Sequence, residues 1–143
     1  MTEVTFHDPQ YDPGTTLTYS VIASRYNGKW IFVRHHKRDT FEIAGGHIED
    51  GETPDEAASR ELMEETGAKK FTICCISTYS VTKEGSTGWG RLYYAVVEVL
   101  GPVPDTSEIA EVILLDSIPE NPTHPDIQPF LFRRVKEYLV SDN

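Results

Sequence analysis

The sequence predicts an α/β/α sandwich, of the α+β kind, with a mixed β-sheet between helices. Three observations carry this. Runs rich in Val, Ile, Thr, Tyr and Phe are separated by Gly, Asn, Asp and Pro. One mid-chain segment holds both a helix start and a helix stop. The C-terminal segment repeats apolar residues at helical spacing. A chain of 143 residues suits one domain with one core, spanning 1–143.

Asp8-Pro9 and Asp12-Pro13-Gly14 are turn signals that close a short first segment. Thr16 to Arg25 is β-rich and reads as a strand. Asn27-Gly28 is a two-residue hairpin turn, since both positions tolerate φ > 0. Lys29 to His35 returns as its partner. Trp30, Phe32 and Arg34 share one face; Ile31, Val33 and His35 share the other. Apolar residues on both faces predict cover on both sides.

Lys37-Arg38-Asp39 is a charged loop. Phe41 to Ala44 is a short extended run into Gly45-Gly46, which permits a tight turn with an exposed carbonyl. Gly51 gives a second turn. Thr53 is the N-cap of a helix, and Glu56 completes a capping box. Pro54 sits at the first helical position, where its missing N–H is harmless. Gly67 fits the left-handed residue that ends the helix.

Phe71 to Val81 and Arg91 to Leu100 are strands joined by a loop, Thr82 to Gly90. Ile109 to Leu115 is a further strand. Pro119, Pro122 and Pro125 keep the following linker non-helical. Asp126 to Val140 reads as an amphipathic helix through Ile127, Phe130, Leu131, Val135, Tyr138 and Leu139.

The formal charge is −10, from 23 acidic and 13 basic residues. That argues against non-specific nucleic-acid binding, which needs cations to neutralise phosphates. It leaves room for a small phosphorylated substrate, because a bound metal reverses the local field. The two cysteines, Cys74 and Cys75, are adjacent and form neither a disulfide framework nor a zinc site. They read as small residues facing opposite sides of a sheet. A reducing cytoplasm fits this cysteine usage. The N-terminus lacks a basic start followed by an apolar run, and no segment reaches membrane-spanning length.

The chemistry concentrates in Arg60-Glu61-Leu62-Met63-Glu64-Glu65. On a helix, Glu65 lies about 40° to one side of Glu61 and Glu64 about 60° to the other. Three like charges in one narrow stripe repel, by roughly 0.2–0.5 kcal/mol for each exposed i,i+4 pair. A divalent cation resolves that conflict, and hard oxygen donors suit Mg2+ or Mn2+. Glu52 adds a nearby carboxylate. Arg60, four residues before Glu64, can pair with it.

The run Gly46-x5-Glu52-x7-Arg60-Glu61-Leu62-x-Glu64-Glu65-x-Gly67-Ala68 resembles the signature of the Nudix hydrolases. Ala68 departs mildly from the larger aliphatic residue usual there, and Ala44 stands where many members carry Pro. The motif, 46–68, covers about a sixth of the chain. The resemblance implies the Nudix fold and a Mg2+-dependent hydrolysis of a nucleoside diphosphate linked to another group. It implies Glu61, Glu64 and Glu65 as metal ligands, with the carbonyl of Gly45 as another. In some members the glutamate matching Glu61 is the general base; in others the base comes from a loop. Arg60 orients Glu64, and Glu52 holds the loop. The proposed outside carboxylate is Glu111, with Glu108 as runner-up.

The chain is similar to compact MutT-like members acting on nucleoside triphosphates, oxidised purine forms included. ADP-ribose, a nucleotide sugar or a capped RNA end are the alternatives, as is a non-catalytic nucleotide sensor. The family contains monomers and homodimers. Phe41 and Trp89 are the candidates to stack on a base, and Arg34 to meet phosphate, with Lys37 and Arg38 beside it. The remaining aromatics read as core. His35, His36 and His47 lack the spacing of a zinc site and read as structural or exposed, with His47 in the motif loop. Glu49 and Asp50 read as solvated.

Overall fold

The computed structural model describes residues 1–141. A seven-stranded mixed sheet runs in the order β1-β5-β6-β2-β3-β7, and β4 pairs with β2 beside β3. The strands are β1 (Thr2–His7), β2 (Tyr19–Tyr26), β3 (Lys29–His35), β4 (Ala44–His47), β5 (Ala68–Lys83), β6 (Ser86–Leu100) and β7 (Ile109–Leu115). The helices are α1 (Pro54–Thr66) and α2 (Gln128–Ser141). Among the named strands β2 and β6 pair in parallel, with Tyr19 opposite Gly90 and Ile22 opposite Tyr93.

Alternation along the strands divides the core in two. Ile22, Ile31, Val33, Tyr93 and Ala95 pack against Ala58 and Leu62 of α1. Ala23, Trp30, Phe32, Ile76 and Leu92 pack against Leu131, Phe132 and Val135 of α2. The two faces expected for β3 are therefore the two faces of the sandwich. Cys75 joins the α1 face, whereas Cys74 Sγ reaches the Tyr138 hydroxyl on the α2 side. Among the described residues, no helix is long and apolar enough to cross a membrane.

The helix punctuation is present in full. Thr53 accepts from the Glu56 N–H, the Glu56 carboxylate accepts from the Thr53 N–H, and Gly67 takes φ +83°. Asn27 and Gly28 both take positive φ in the β2–β3 turn.

Four expectations change. The first segment contains a strand, β1, which pairs with the far end of β5. The segment 82–90 is not a loop: β5 and β6 continue to a tight turn at Glu84-Gly85, where both residues have positive φ. A glutamate at the position normally held by Asn hides that hairpin in the sequence. Third, Gly45 and Gly46 form no turn and lie in extended strand β4. Last, the ordered strand β2 begins at Tyr19 rather than Thr16, and α2 begins at Gln128 rather than Asp126.

Candidate active site

The site forms where β3 leaves β2. The two strands pair only beside their turn, at Arg25–Trp30 and Tyr26–Lys29. Further on, β4 takes the place beside β2, with Val21 opposite Gly45 and Ser20 opposite Gly46. Helix α1 crosses this opening on one face, and the start of α2 closes it on the other.

The glycine pair is explained by space. A β-carbon on Gly46 would lie 2.7 Å from both Cδ and Oε2 of Glu61. One on Gly45 would strike Val21 at 2.5 Å. Glu61 therefore lays its carboxylate across the bare Cα of Gly46. Gly45 donates its N–H to Glu65 Oε1 at 3.0 Å. Because the N–H and C=O of a strand residue project to the same edge, the Gly45 carbonyl also faces away from β2.

Arg60 is the hub of the loop–helix junction. Its guanidinium grips Glu52 with two bonds, Nε to Oε2 at 2.6 Å and Nη2 to Oε1 at 2.9 Å. Nη1 donates to Glu61 Oε1 at 2.6 Å, and Nη2 donates to the His47 carbonyl at 3.1 Å. Glu64 is its longest hydrogen-bond partner, at 3.4 Å. The expected Arg60–Glu64 pairing is thus secondary to Glu52 and Glu61, because a forked guanidinium prefers a bidentate carboxylate. Glu52 in turn accepts from the Glu49 N–H, closing the loop. This partnership holds the Glu52 carboxyl down at about 2, chiefly through the Arg60 hydrogen bonds.

The three helical carboxylates diverge despite their common stripe. Glu61 is buried beneath β4, and burial raises its pKa against the opposing pull of Arg60. Glu65 is buried between Gly45 and His35, whose Nε2 lies 3.4 Å from Oε2. Its pKa is pushed up to about 8, by burial first, with Glu61, Glu42 and Glu108 adding and the Gly45 N–H opposing. Glu64 is half-exposed. Among the described residues, no three acidic or histidine groups converge tightly enough to cage an ion. Arg60 instead takes the charge of Glu61.

A divalent cation nevertheless fits what is present. Two buried carboxylates carry raised pKa values, so both gain from a compensating positive charge. The donors are oxygen, the hard type that Mg2+ and Mn2+ prefer. Residues able to hold it are Glu61, Glu64, Glu65 and the Gly45 carbonyl.

Glu111 is not brought to these carboxylates. It faces Arg34 across the β3–β7 ladder and pairs with it at 3.2 Å, on the sheet face opposite α1. Glu108 comes nearer: its carboxylate lies 3.8 Å from His35 Nδ1. Arg34 is occupied by Glu111 and by the Arg38 carbonyl. Arg38 pairs with Glu42 at 2.7 Å. Phe41 packs into the α2-side core, its backbone tied to Thr123. Trp89 lies within β6, and its ring meets Tyr11 at 5.7 Å and His7 at 5.4 Å. His47 sits edge-on to Tyr19.

His35, Glu42 and Gln128 border the site without having been singled out as ligands or supports. The signal for His35 was its place on the Ile31–Val33 face. For Gln128 it was a polar residue in register with Leu131 and Val135 on the apolar stripe. Glu42 carried no comparable signal.

The NUDIX domain family profile matches residues 15–133. YtkD of Bacillus subtilis, provisionally named an 8-oxo-dGTP diphosphatase, is 33% identical over 100 residues, 70% of this chain and 63% of its own length. An RNA pyrophosphohydrolase of Tolumonas auensis is 36% identical over 58 residues, 41% of this chain and 33% of its own. The matches thus span less than two thirds of these relatives. A mutant form of the Bacillus subtilis pyrophosphohydrolase BsRppH superimposes with TM-score 0.76 at 25% identity, covering 96% of this chain and 90% of that one. The NUDIX domain of Shewanella oneidensis NrtR, complexed with ADP ribose, gives TM-score 0.68 at 17% identity over 91% and 94% of the two chains, a likeness of fold alone.

Proposed function

The chain belongs to the Nudix hydrolase family, and from that premise we propose that it is a Mg2+-dependent pyrophosphohydrolase acting on a nucleoside 5′-triphosphate, oxidised purine forms included. The observation that carries the reading is the pair of buried carboxylates, Glu61 and Glu65, set against the Gly45-Gly46 strand. Burial without a full complement of cations is unfavourable unless a ligand supplies the charge.

In this reading Glu61, Glu64, Glu65 and the Gly45 carbonyl hold the metal. When bound, Mg2+ or Mn2+ would polarise the pyrophosphate oxygens and acidify an attacking water. Water attacks phosphorus and gives up its proton to a general base, the phosphoanhydride bond breaks, and pyrophosphate departs from the nucleoside monophosphate. Arg60 keeps Glu61 against β4 and ties the 47–52 loop to the helix. Glu64, the most exposed of the three, is free to meet substrate-side water or metal. The reaction needs only a small nucleotide partner, and a cytoplasmic setting suits it.

A second reading is a triphosphorylated RNA 5′ end. It draws on the names of the Tolumonas relative and of BsRppH. Both substrates present a 5′-triphosphate, so the same carboxylates would serve either.

The test is phosphate release, with and without Mg2+, from nucleoside triphosphates, 8-oxo-dGTP and triphosphorylated RNA coupled to an inorganic pyrophosphatase, and from ADP-ribose and nucleotide sugars coupled to a phosphomonoesterase. Metal-dependent turnover of triphosphates and not of ADP-ribose is expected, with Glu64→Gln losing most of it. Turnover of ADP-ribose alone overturns the substrate reading. Nucleotide binding with no turnover anywhere overturns the enzyme reading.

A further inference from the structure

Two backbone amides in the run 43–45 take side-chain acceptors, and they take them from opposite faces of the sheet. Gly45 donates to Glu65 of α1. Ile43 donates to Gln128 Oε1 of α2 at 3.0 Å. Gln128 is buried, at 6% exposure, where side-chain amides are uncommon. Its own N–H donates to the His124 carbonyl, so its backbone is fixed as well.

The segment just before Gln128 grips the run leading into β4 at several further points. Thr123 N–H donates to the Phe41 carbonyl at 2.9 Å. Thr40 and Thr123 share a hydroxyl contact. Phe41 and Pro122 form an isolated parallel bridge. His124, between Thr123 and the helix, takes φ 49°, a left-handed conformation that few non-glycine residues adopt. Such conformations persist only where the surroundings enforce them, and they gather at functional sites. Four residues after this turn, Gln128 meets Ile43.

We propose that Gln128 is a positioning residue for the metal-binding edge of β4. It anchors Ile43 from the α2 face and so holds the Gly45 peptide, two residues on, against Glu65 on the α1 face. The inference rests on the reading that the Gly45 carbonyl and Glu65 hold the metal. Its mechanical part can be tested without metal. Among the described residues, 40–43 bridge β3 at Val33–Glu42, and beyond that bridge β4 is paired on one side, with β2. Among the described residues Gln128 is the acceptor for the Ile43 amide, so its loss would leave that amide without its side-chain partner just before β4 begins.

The experiment compares Gln128→Met, Gln128→Glu and the unaltered chain by amide exchange in the metal-free protein and by Mn2+ titration. Gln128→Met keeps the volume and removes the acceptor. Exchange at Ile43 should quicken at least ~10-fold, and exchange at Gly45 should quicken with it. Mn2+ affinity should fall by about 10-fold, the range seen for lost outer-shell partners. Gln128→Glu, which still accepts from Ile43, should restore protection at both amides. If Gln128→Met does not fold, Gln128→Asn, one methylene short of Ile43, gives the same comparison. Quickened exchange at Ile43 alone, with Gly45 and Mn2+ affinity unchanged, would reduce Gln128 to a local packing role and overturn the proposal. Coupled exchange without Mn2+ binding by the unaltered chain would leave the brace standing and defeat the metal reading.

Discussion

The Glu61 carboxylate rests on the α-carbon of Gly46, so close that a single methyl there would stand 2.7 Å from its Cδ. The helix and the strand therefore meet through the absence of a side chain. Arg60 pins the same carboxylate from the other side at 2.6 Å.

Gly46→Ala follows directly. The carboxylate is the flexible end of its side chain, so it can yield and the fold survives. Overpacking typically costs about 1–3 kcal/mol. The displaced carboxylate loses its place, and a 1 Å misplacement can cost about 100-fold in rate. Turnover should thus fall far more than thermal stability. Wild-type kcat/KM in Gly46→Ala would show that the position of Glu61 is irrelevant to the reaction.

Glu52→Gln tests the support beneath the site. Glu52 is the bidentate partner of Arg60, and Arg60 holds Glu61 and the His47 carbonyl. Loss of such a partner typically weakens metal affinity or activity by about 10–100-fold. Arg60→Lys should do similar harm, since an ammonium cannot fork. Mn2+ titration of both variants checks this; unchanged affinity in both would mean that the junction does not orient the ligands.

Glu65 gives the metal-free protein a pH signature. Its pKa rises from 4.5 to about 8 on folding. A raised folded pKa means that the protonated form is favoured in the native state. That stability is fully present below about pH 4.5 and is lost as pH climbs through about 8. Its size is on the order of a few kcal/mol. Urea unfolding with a chelator should therefore show stability falling between these limits, and Glu65→Gln should flatten that fall. Mg2+, which selects the ionised form, should stabilise more at high pH than at low. Parallel pH profiles for Glu65→Gln and wild type would contradict the assignment.

Much of this site was legible because short-range rules govern it. The caps of α1 depend on residues three or four apart, and Thr53, Pro54, Glu56 and Gly67 all behave as their chemistry dictates. The β3 and β7 limits follow from short runs rich in β-branched, aromatic and aliphatic residues. Tertiary partners decide the rest. Gly45 and Gly46 looked like a turn because glycine frees the backbone; here glycine makes room for Val21 and Glu61 instead. The helical stripe put three glutamates together, yet neighbours from β3, β4 and the loop drew them apart. Glu111 looked suitable by position, but strand alternation sends it to Arg34 on the far face. Trp89 reads as a loop residue because the Glu84-Gly85 turn lacks an Asn, whereas it lies within β6.

The long β5–β6 hairpin carries a consequence for the order of assembly. Its register runs from Lys83–Ser86 beside the turn to Ala68–Leu100 at the open end, all joined through one two-residue turn. Such a ladder closes the shortest loops first, and hairpins of this type form in roughly 1–10 μs. The β1–β5, β2–β6 and β3–β7 pairings each join residues much further apart in the chain. The finished hairpin would offer β5 as a template for β1 and β6 as a template for β2. The proposed metal site, which draws on β2, β4, α1 and, through Gln128, α2, would then form late, and on that reading a nascent chain would gain its metal affinity only once α2 had docked.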